Sequence, residues 1–424
     1  MSRRRGATPA EDLATEPREL AGVRYTAAAW DPPALERLVS ELAETGAAAL
    51  ATVDDRALLD AWGQTVETFL DPGSEERRRL DPALASLCRL SEAGLGAALE
   101  AVLGGVRRGP AERLLAEAPP RAVGAAATPS PVVVFLASNL PALAVQPLLP
   151  ALLRRRPVLL KSPSAEPLFA PAFAAALAGH EPRLGEAVAA ITWRGGDAEL
   201  EAPLLAGAGK ILAYGNETGL ADLERRCPGR LVAYGPRTSL AALGAEVPPR
   251  AVAPGLARDV ALFDQRGCLS IQAVYTTGDA HELADALAEE LRSLARRWPA
   301  GPATLGELAA VQQVRQEADL RGLYRPPLAL DAGTVVVEPE PTFLASPGRR
   351  TVRIHPLPRL HNLPAILAPW IGRLQGAALA GTEALALRSA LGSLGLSRLT
   401  APGELQSPDI SWHNGGRHPL EALG

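Results

Sequence analysis

Val132-Val133-Val134-Phe135-Leu136, a helical run over residues 143–154, and then Val158-Leu159-Leu160-Lys161 form the stretch that decides the fold. Two short, uncharged apolar runs flank a helical one. That is the pattern of a buried strand, a crossover helix and a second buried strand. The alternation continues with a helix over 168–178 and strands over 188–193, 210–214 and 230–234. Strands and helices alternating at this spacing predict βαβ units and a parallel sheet. Such sheets bind ligands beyond the carboxyl ends of their strands, where Asn139, Lys161 and Gly215 stand.

On the N-terminal side, residues 1–120 read mostly as helices punctuated by Pro and Gly, over 33–45, 54–70 and 84–106. On the C-terminal side, a second α/β segment begins near residue 236. It holds an apolar run ending at Cys268 that reads as a strand, and a strong helix over 281–297. Strands over 334–337 and 351–355, a helix over 383–394 and a loop-rich tail from Ser397 follow. The expected organisation is a helical segment and a parallel-sheet domain over 1–235, with a second α/β domain over 236–397. The tail, 398–424, is expected to pack back on the first domain.

Apolar residues make up 47% of the 424 and can fill more than one core. A net charge of −4 gives no electrostatic basis for nucleic-acid binding. Cys88, Cys227 and Cys268 are too few and too far apart for a disulfide framework or a zinc site. A reducing cytoplasm suits them. The basic start Met1-Ser2-Arg3-Arg4-Arg5 lacks the apolar stretch of a signal peptide. Residues 131–153 carry no charge and are long enough to cross a membrane. Pro131, Pro141, Pro147 and Pro150, with Ser138, Asn139 and Gln146, instead favour strand, turn and helix. Of 43 basic residues only Lys161 and Lys210 are lysines, which marks both as places where a compact ammonium is used.

Cys268 lies in Phe263-Asp264-Gln265-Arg266-Gly267-Cys268-Leu269-Ser270, a lone thiol behind a glycine and a candidate covalent nucleophile. A buried structural cysteine is the alternative reading, and it suits Cys88 and Cys227. No G-x-G-x-x-G follows the first strand. Gly215-Asn216-Glu217-Thr218-Gly219 does sit between a strand and a helix. It could carry a helix N-terminus to a phosphate or be a plain turn.

Four motifs in order resemble the aldehyde dehydrogenase superfamily, and within it the LuxC-like acyl-CoA reductases. Ser138-Asn139-Leu140-Pro141 is similar to the P-W-N-x-P turn, and Val158 to Ser164 to V-L-K-P-S-E. Gly215 to Gly219 is similar to the glycine turn under the pyrophosphate, and Gly267-Cys268 to the nucleophile motif. Trp412-His413-Asn414-Gly415-Gly416 resembles the end of LuxC-like proteins. The resemblance implies an aldehyde dehydrogenase-like fold, with a Rossmann-type cofactor domain and a second α/β catalytic domain. It implies Cys268 as nucleophile, Asn139 as oxyanion donor beside the Cys268 backbone N–H, and Lys161 on the adenosine ribose.

Departures from the family refine this expectation. Hydrolytic members carry a glutamate in E-L-G-G-K-S; here Ala233-Tyr234-Gly235-Pro236-Arg237-Thr238 stands there, and Ala233 cannot be a base. Ser164 replaces a glutamate that grips the ribose in NAD-preferring members, so NADPH is expected ahead of NAD. Arg154, Arg155 and Arg156 are candidates to assist, or a solvated helix end. The E-x-F-G-P clamp has no clear counterpart; Thr342-Phe343 lies nearest. Arg266 would lower the thiol pKa and Asp264 raise it.

The expected activity is NADPH-dependent reduction of an acyl thioester to an aldehyde through an acyl-Cys268, with CoA as leaving group. The substrate is an acyl-CoA or acyl-carrier thioester and no metal is implied. The family forms homo-oligomers, and an acyl-activating enzyme is a candidate partner. A CoA-acylating dehydrogenase running oxidatively with NAD, an acyl-phosphate reductase and a degenerate non-catalytic subunit are the rivals.

Overall fold

The computed structural model describes residues 13–118 and 130–423. Among these residues the strands form three sheets. β1 (Thr15–Leu20) and β2 (Val23–Ala28) make an antiparallel hairpin. β3 (Val132–Phe135), β4 (Val158–Ser162), β5 (Val188–Thr192), β6 (Lys210–Tyr214) and β7 (Leu231–Tyr234) make a five-stranded sheet. β8 (Thr238–Leu243), β9 (Ile271–Thr276), β10 (Thr334–Val337), β11 (Thr351–Pro356), β12 (Leu374–Ala380) and β13 (Arg398–Thr400) make a six-stranded sheet.

The five-stranded sheet runs β5-β4-β3-β6-β7, parallel throughout. The chain steps outward from β3 to β5 and then jumps back to β6. The strand order therefore reverses between β3 and β6, where such sheets open a ligand crevice. Side-chain alternation explains why these strands read as unbroken apolar runs. Val132, Val134, Leu160 and Leu212 face one core, and Val133, Phe135, Leu159 and Ile211 the other.

The six-stranded sheet runs β10-β11-β9-β8-β12-β13, again all parallel. β7 passes to β8 through Gly235, Pro236 and Arg237 alone. The chain thus leaves the first sheet at its carboxyl edge and enters the second at its amino edge, and these two edges face each other. Asp279 caps the amphipathic helix Ala280–Arg297, accepting from the N–H groups of His281 and Glu282.

The tail crosses between the parts. Asp259 accepts from the Gly403 and Leu405 amides at 2.7 and 3.2 Å, fixing the loop after β13. The Ile410 amide then donates to the Gly105 carbonyl at 2.9 Å, and the Arg156 guanidinium to the Leu423 carbonyl at 2.6 Å. No helix among the described residues is long and apolar enough to cross a membrane.

Four local expectations are corrected. The hairpin β1–β2 lies where helices were expected; it is largely exposed and charged, so no apolar alternation announces it. The helix expected over 84–106 is two, Glu75–Leu87 and Glu92–Gly104, parted at Arg89 (φ +50°). The Cys88 and Arg89 carbonyls at this break accept from the Arg266 guanidinium at 2.7 Å each. The apolar run before Cys268 is the end of helix Pro249–Ala261, because a short apolar run cannot distinguish a strand from a buried helix. The helix over 383–394 is two short pieces, Thr382–Leu385 and Arg388–Ser393.

Glu166 is 7% exposed and accepts from the Leu168 and Phe169 amides at 2.8 Å each, where helix Phe169–His180 begins. Burial pushes its carboxyl from 4.5 up to about 7. The folded protein therefore holds a proton that the unfolded chain releases, so this stabilisation is complete below about pH 4.5 and lost as pH rises through 7. Glu166→Gln keeps an acceptor for both amides. Its unfolding free energy, measured by urea denaturation, should gain about 3 kcal/mol on wild type between pH 4.5 and pH 7.5. A constant difference would contradict this account.

Candidate active site

A cavity of about 440 Å³ lies between the two sheet edges. The five-stranded sheet contributes Asn139 from the loop after β3, Tyr214 and Gly215 at the end of β6, and Tyr234 at the end of β7. The six-stranded sheet contributes Cys268 and Leu269 ahead of β9, and Gln375 at the start of β12. Arg237 comes from the β7–β8 passage, and Gln406, Trp412 and Asn414 from the tail. Val102, Leu140, Leu143 and Phe263 make one wall apolar.

Cys268 is presented by an unusual backbone. Phe263, Asp264 and Gln265 have φ of +58°, +50° and +65°, three consecutive left-handed residues and none of them glycine. Each such residue costs roughly 1–2 kcal/mol, so the turn persists only where its surroundings fix it. Asp264 accepts from Arg350 Nε and Nη2 at 3.0 and 2.7 Å, and from the Gly301 amide at 2.8 Å. Gln265 donates to the Ile271 and Thr351 carbonyls and accepts from the Thr351 amide, all at 2.7–2.8 Å. A Cβ on Gly267 would stand 2.7 Å from Gln406 Oε1, which explains the glycine before the thiol. That same Oε1 accepts from Ser270 Oγ at 3.0 Å.

Asn139 reaches across the cavity, donating Nδ2 to the Arg266 carbonyl at 3.2 Å. One of its two N–H bonds is thereby anchored beside Cys268, and the other remains for a ligand. Burial pushes the Cys268 thiol up to about 11, opposed by the Cys268 and Leu269 amides and by Arg237. The cation acting on the thiol is therefore Arg237. The Arg266 guanidinium is committed to Cys88 and Arg89, and Asp264 to Arg350. Arg237 is held by the Leu374 carbonyl at 3.0 Å.

Ala233 is exposed on the far side of β7, and the residue this strand turns into the cavity is Tyr234, as period-two alternation requires. Its ring stacks on Tyr214, centroids 4.7 Å apart and planes 14° from parallel. Among the described residues lining the cavity there is no Asp, Glu or His. Sequence reasoning missed Tyr214, Tyr234 and Arg237 as site residues. The tyrosines end two apolar strands, and Arg237 is one of many arginines.

Lys161 and Ser164 lie one strand away, at the end of β4. Lys161 is 5% exposed, and its Nζ sits 5.5 Å from the Trp193 ring centroid. Among the described residues it has no ion-pair partner, and burial lowers its pKa against the pull of Glu201. Ser164 lines a shallow groove with Arg194, beyond the end of β5, and with Glu16, Arg18 and Glu19 of the hairpin, where Arg18 pairs with Glu16. Gly215 lines the main cavity, whereas the Gly219 amide donates to Asn216 Oδ1 at 2.8 Å inside the first turn of helix Glu217–Arg226. Arg155 and Arg156 lie before β4, at the opposite edge of the sheet, bound to Asp55 and to Ser130 and Leu423. Thr342-Phe343 is also elsewhere: Phe343 packs on Trp370 in the second core, 4.7 Å between rings. His413 packs on His418, while its neighbours Trp412 and Asn414 line the cavity.

The family described as acyl-CoA reductase (LuxC) matches residues 112–424. No curated protein matches the chain. Solved structures similar to it include an oxidoreductase from Marinobacter aquaeolei, with 14% identity and a TM-score of 0.71 over 98% of this chain and 93% of that one. Aldehyde dehydrogenase C from Pseudomonas syringae, solved as a cysteine-to-alanine mutant with NAD+ and octanal, has 14% identity and a TM-score of 0.68 over 92% and 85%. The Delta-pyrroline-5-carboxylate dehydrogenase from Mycobacterium tuberculosis has 13% identity and a TM-score of 0.67 over 99% and 89%. The fold is that of the aldehyde dehydrogenases.

The electrostatics predict a thiol that is slow toward simple electrophiles at neutral pH. Alkylation of Cys268 by iodoacetamide, followed by intact mass, should quicken about tenfold per pH unit and level off only near 11. Arg237→Gln should slow it at every pH below that plateau. A plateau near pH 7 would contradict the assignment.

Proposed function

The chain belongs to the LuxC acyl-CoA reductase family, and from that membership we propose that it reduces acyl-CoA thioesters to aldehydes with NADPH through an acyl-Cys268. The observation that carries this reading is the cavity wall, which among the described residues offers water no carboxylate or imidazole base. An acyl-thioester facing such a wall resists hydrolysis and survives for hydride or a thiol.

Cys268 Sγ attacks the thioester carbonyl. The free N–H of Asn139 and the Cys268 amide donate to the developing oxyanion, which water would otherwise have to solvate. Collapse releases the CoA thiol and leaves the acyl group on Cys268. The apolar wall of Val102, Leu140, Leu143 and Phe263 suits an alkyl chain.

The residues present fit a dinucleotide. Lys161 is a buried ammonium in no ion pair among the described residues, though within the field of Glu201, at the end of β4, and Gly215 opens the cavity at the end of β6. From β5 to β7 the edge spans four strand spacings, about 19 Å, room for an extended dinucleotide. When bound, that cofactor supplies the hydride. Lys161 would hold the adenosine ribose and Gly215 would let the chain pass toward Cys268. Gly219 stabilises the helix turn beneath it. Ser164 and Arg194 are the donors for a 2′-phosphate in a groove that the hairpin carboxylates Glu16 and Glu19 also line, so NADPH is favoured through these two donors and the family membership.

Incubation with acyl-CoA alone should add one acyl mass to Cys268, stable for many turnovers and absent from Cys268→Ala. Asn139→Ala should slow acylation by about 10²–10³-fold. Label persisting in Cys268→Ala would sink the reading. Arg194→Ala should reduce kcat/KM for NADPH by about 10–100-fold while sparing NADH; equal losses would remove Arg194 from the cofactor site.

A further inference from the structure

Acylation moves a proton as well as an acyl group. Cys268 Sγ must lose one, and the departing thiolate must gain one. Burial holds the Cys268 thiol in its protonated form near neutrality, so the transfer is not spontaneous. The side chains that ordinarily shuttle protons are missing from the wall: among the described residues lining the cavity none is Asp, Glu or His. Arg237 and Arg266 line it, but a guanidinium has no lone pair with which to take a proton. Among the lining side chains, hydroxyl groups come from Ser138, Tyr214 and Tyr234, and a phenol is a far stronger acid than an alcohol.

The two tyrosines are not equivalent. Tyr214 and Tyr234 are register partners on adjacent parallel strands, so their rings share a face and stack. Tyr214 ends β6, the strand beside β3, and the loop after β3 carries Asn139 to the Arg266 carbonyl two residues before Cys268. Tyr234 ends the edge strand β7, and the charge felt there is that of Arg417 in the tail. Burial raises both phenols above their ordinary value, so each rests as a neutral O–H. A neutral hydroxyl with a lone pair on one side and a proton on the other suits a relay and not a standing base.

We propose that Tyr214 is a catalytic residue that passes the Cys268 proton to the leaving thiolate, with Tyr234 as the ring that holds it in place. The inference rests on the nucleophilic role proposed for Cys268. As the Sγ–C bond forms, the Sγ proton moves to Tyr214 Oη and the original Oη proton moves to the thioester sulfur as the C–S bond breaks. The phenol is neutral before and after, the thiol departs as R–SH, and no oxidant or reductant takes part. Tyr234 is a positioning residue.

The test compares two thioesters of one fatty acid in single-turnover acylation, read by intact mass. Acyl-CoA has an alkyl thiolate leaving group that profits from a proton; the p-nitrothiophenyl ester leaves without one. Tyr214→Phe keeps the ring and the stack. It should slow acylation by acyl-CoA about 10²-fold, with a loss at least about tenfold smaller for the activated ester. Tyr234→Phe should give no such split. Equal slowing of both esters by Tyr214→Phe, or no slowing of either, overturns the relay. So does a split that appears in Ser138→Ala instead. Failure of the unmodified enzyme to acylate Cys268 with either ester overturns the nucleophile reading itself, and this inference with it.

Discussion

The buried pairing of Asp264 with Arg350 fixes the turn that carries Cys268 to the cavity. Arg349 and Arg350 are themselves left-handed, at φ +56° and +59°, so two strained segments brace each other. Arg350 meets Asp264 in a two-point contact, and Gln265 binds Thr351 through both backbone groups. Both Asp264 and Arg350 are 2% exposed. A buried pair of this kind adds little net stability over an apolar substitute, but losing one partner strands a charge. Its value here is directional, because it forces the chain through a turn that L-residues avoid and so aims Gly267 and Cys268 at the cavity.

That turn also links parts of the chain far apart in sequence. Arg266 binds the break between two N-terminal helices, Asn139 of the five-stranded sheet binds the Arg266 carbonyl, and Gln406 of the tail packs against Gly267. Each domain therefore contributes to the wall around one sulfur. The parallel sheets make this possible. A carboxyl edge, where loops after strands converge, faces an amino edge, where loops before strands converge.

The chemistry of the cavity follows from what surrounds the thiol. Burial raises its pKa; two backbone amides and Arg237 pull the other way. The site is rich in carboxamides and poor in acids and bases, which suits acyl transfer and hydride reduction better than hydrolysis.

Much of the framework was legible in the chain itself. Val132 to Phe135 and Val158 to Lys161 announced a parallel sheet, because both faces of a central strand are buried and its residues must nearly all be apolar. Asn139, Gly215 and Cys268 could be named because short motifs mark turns whose backbone needs are local. The hairpin β1–β2 was not legible, since exposed strands carry no apolar alternation. Nor was the end of the helix before Cys268, since a few apolar residues fit a buried helix as well as a strand. Only the tertiary structure decided that Tyr234 and not Ala233 faces the cavity, that Arg237 and not Arg266 supplies the nearby charge, and that Tyr214 lines the same cavity as the thiol. Which face a strand end shows, and which distant loop it meets, depends on register and packing between sheets, and neither is written in the order of neighbouring residues.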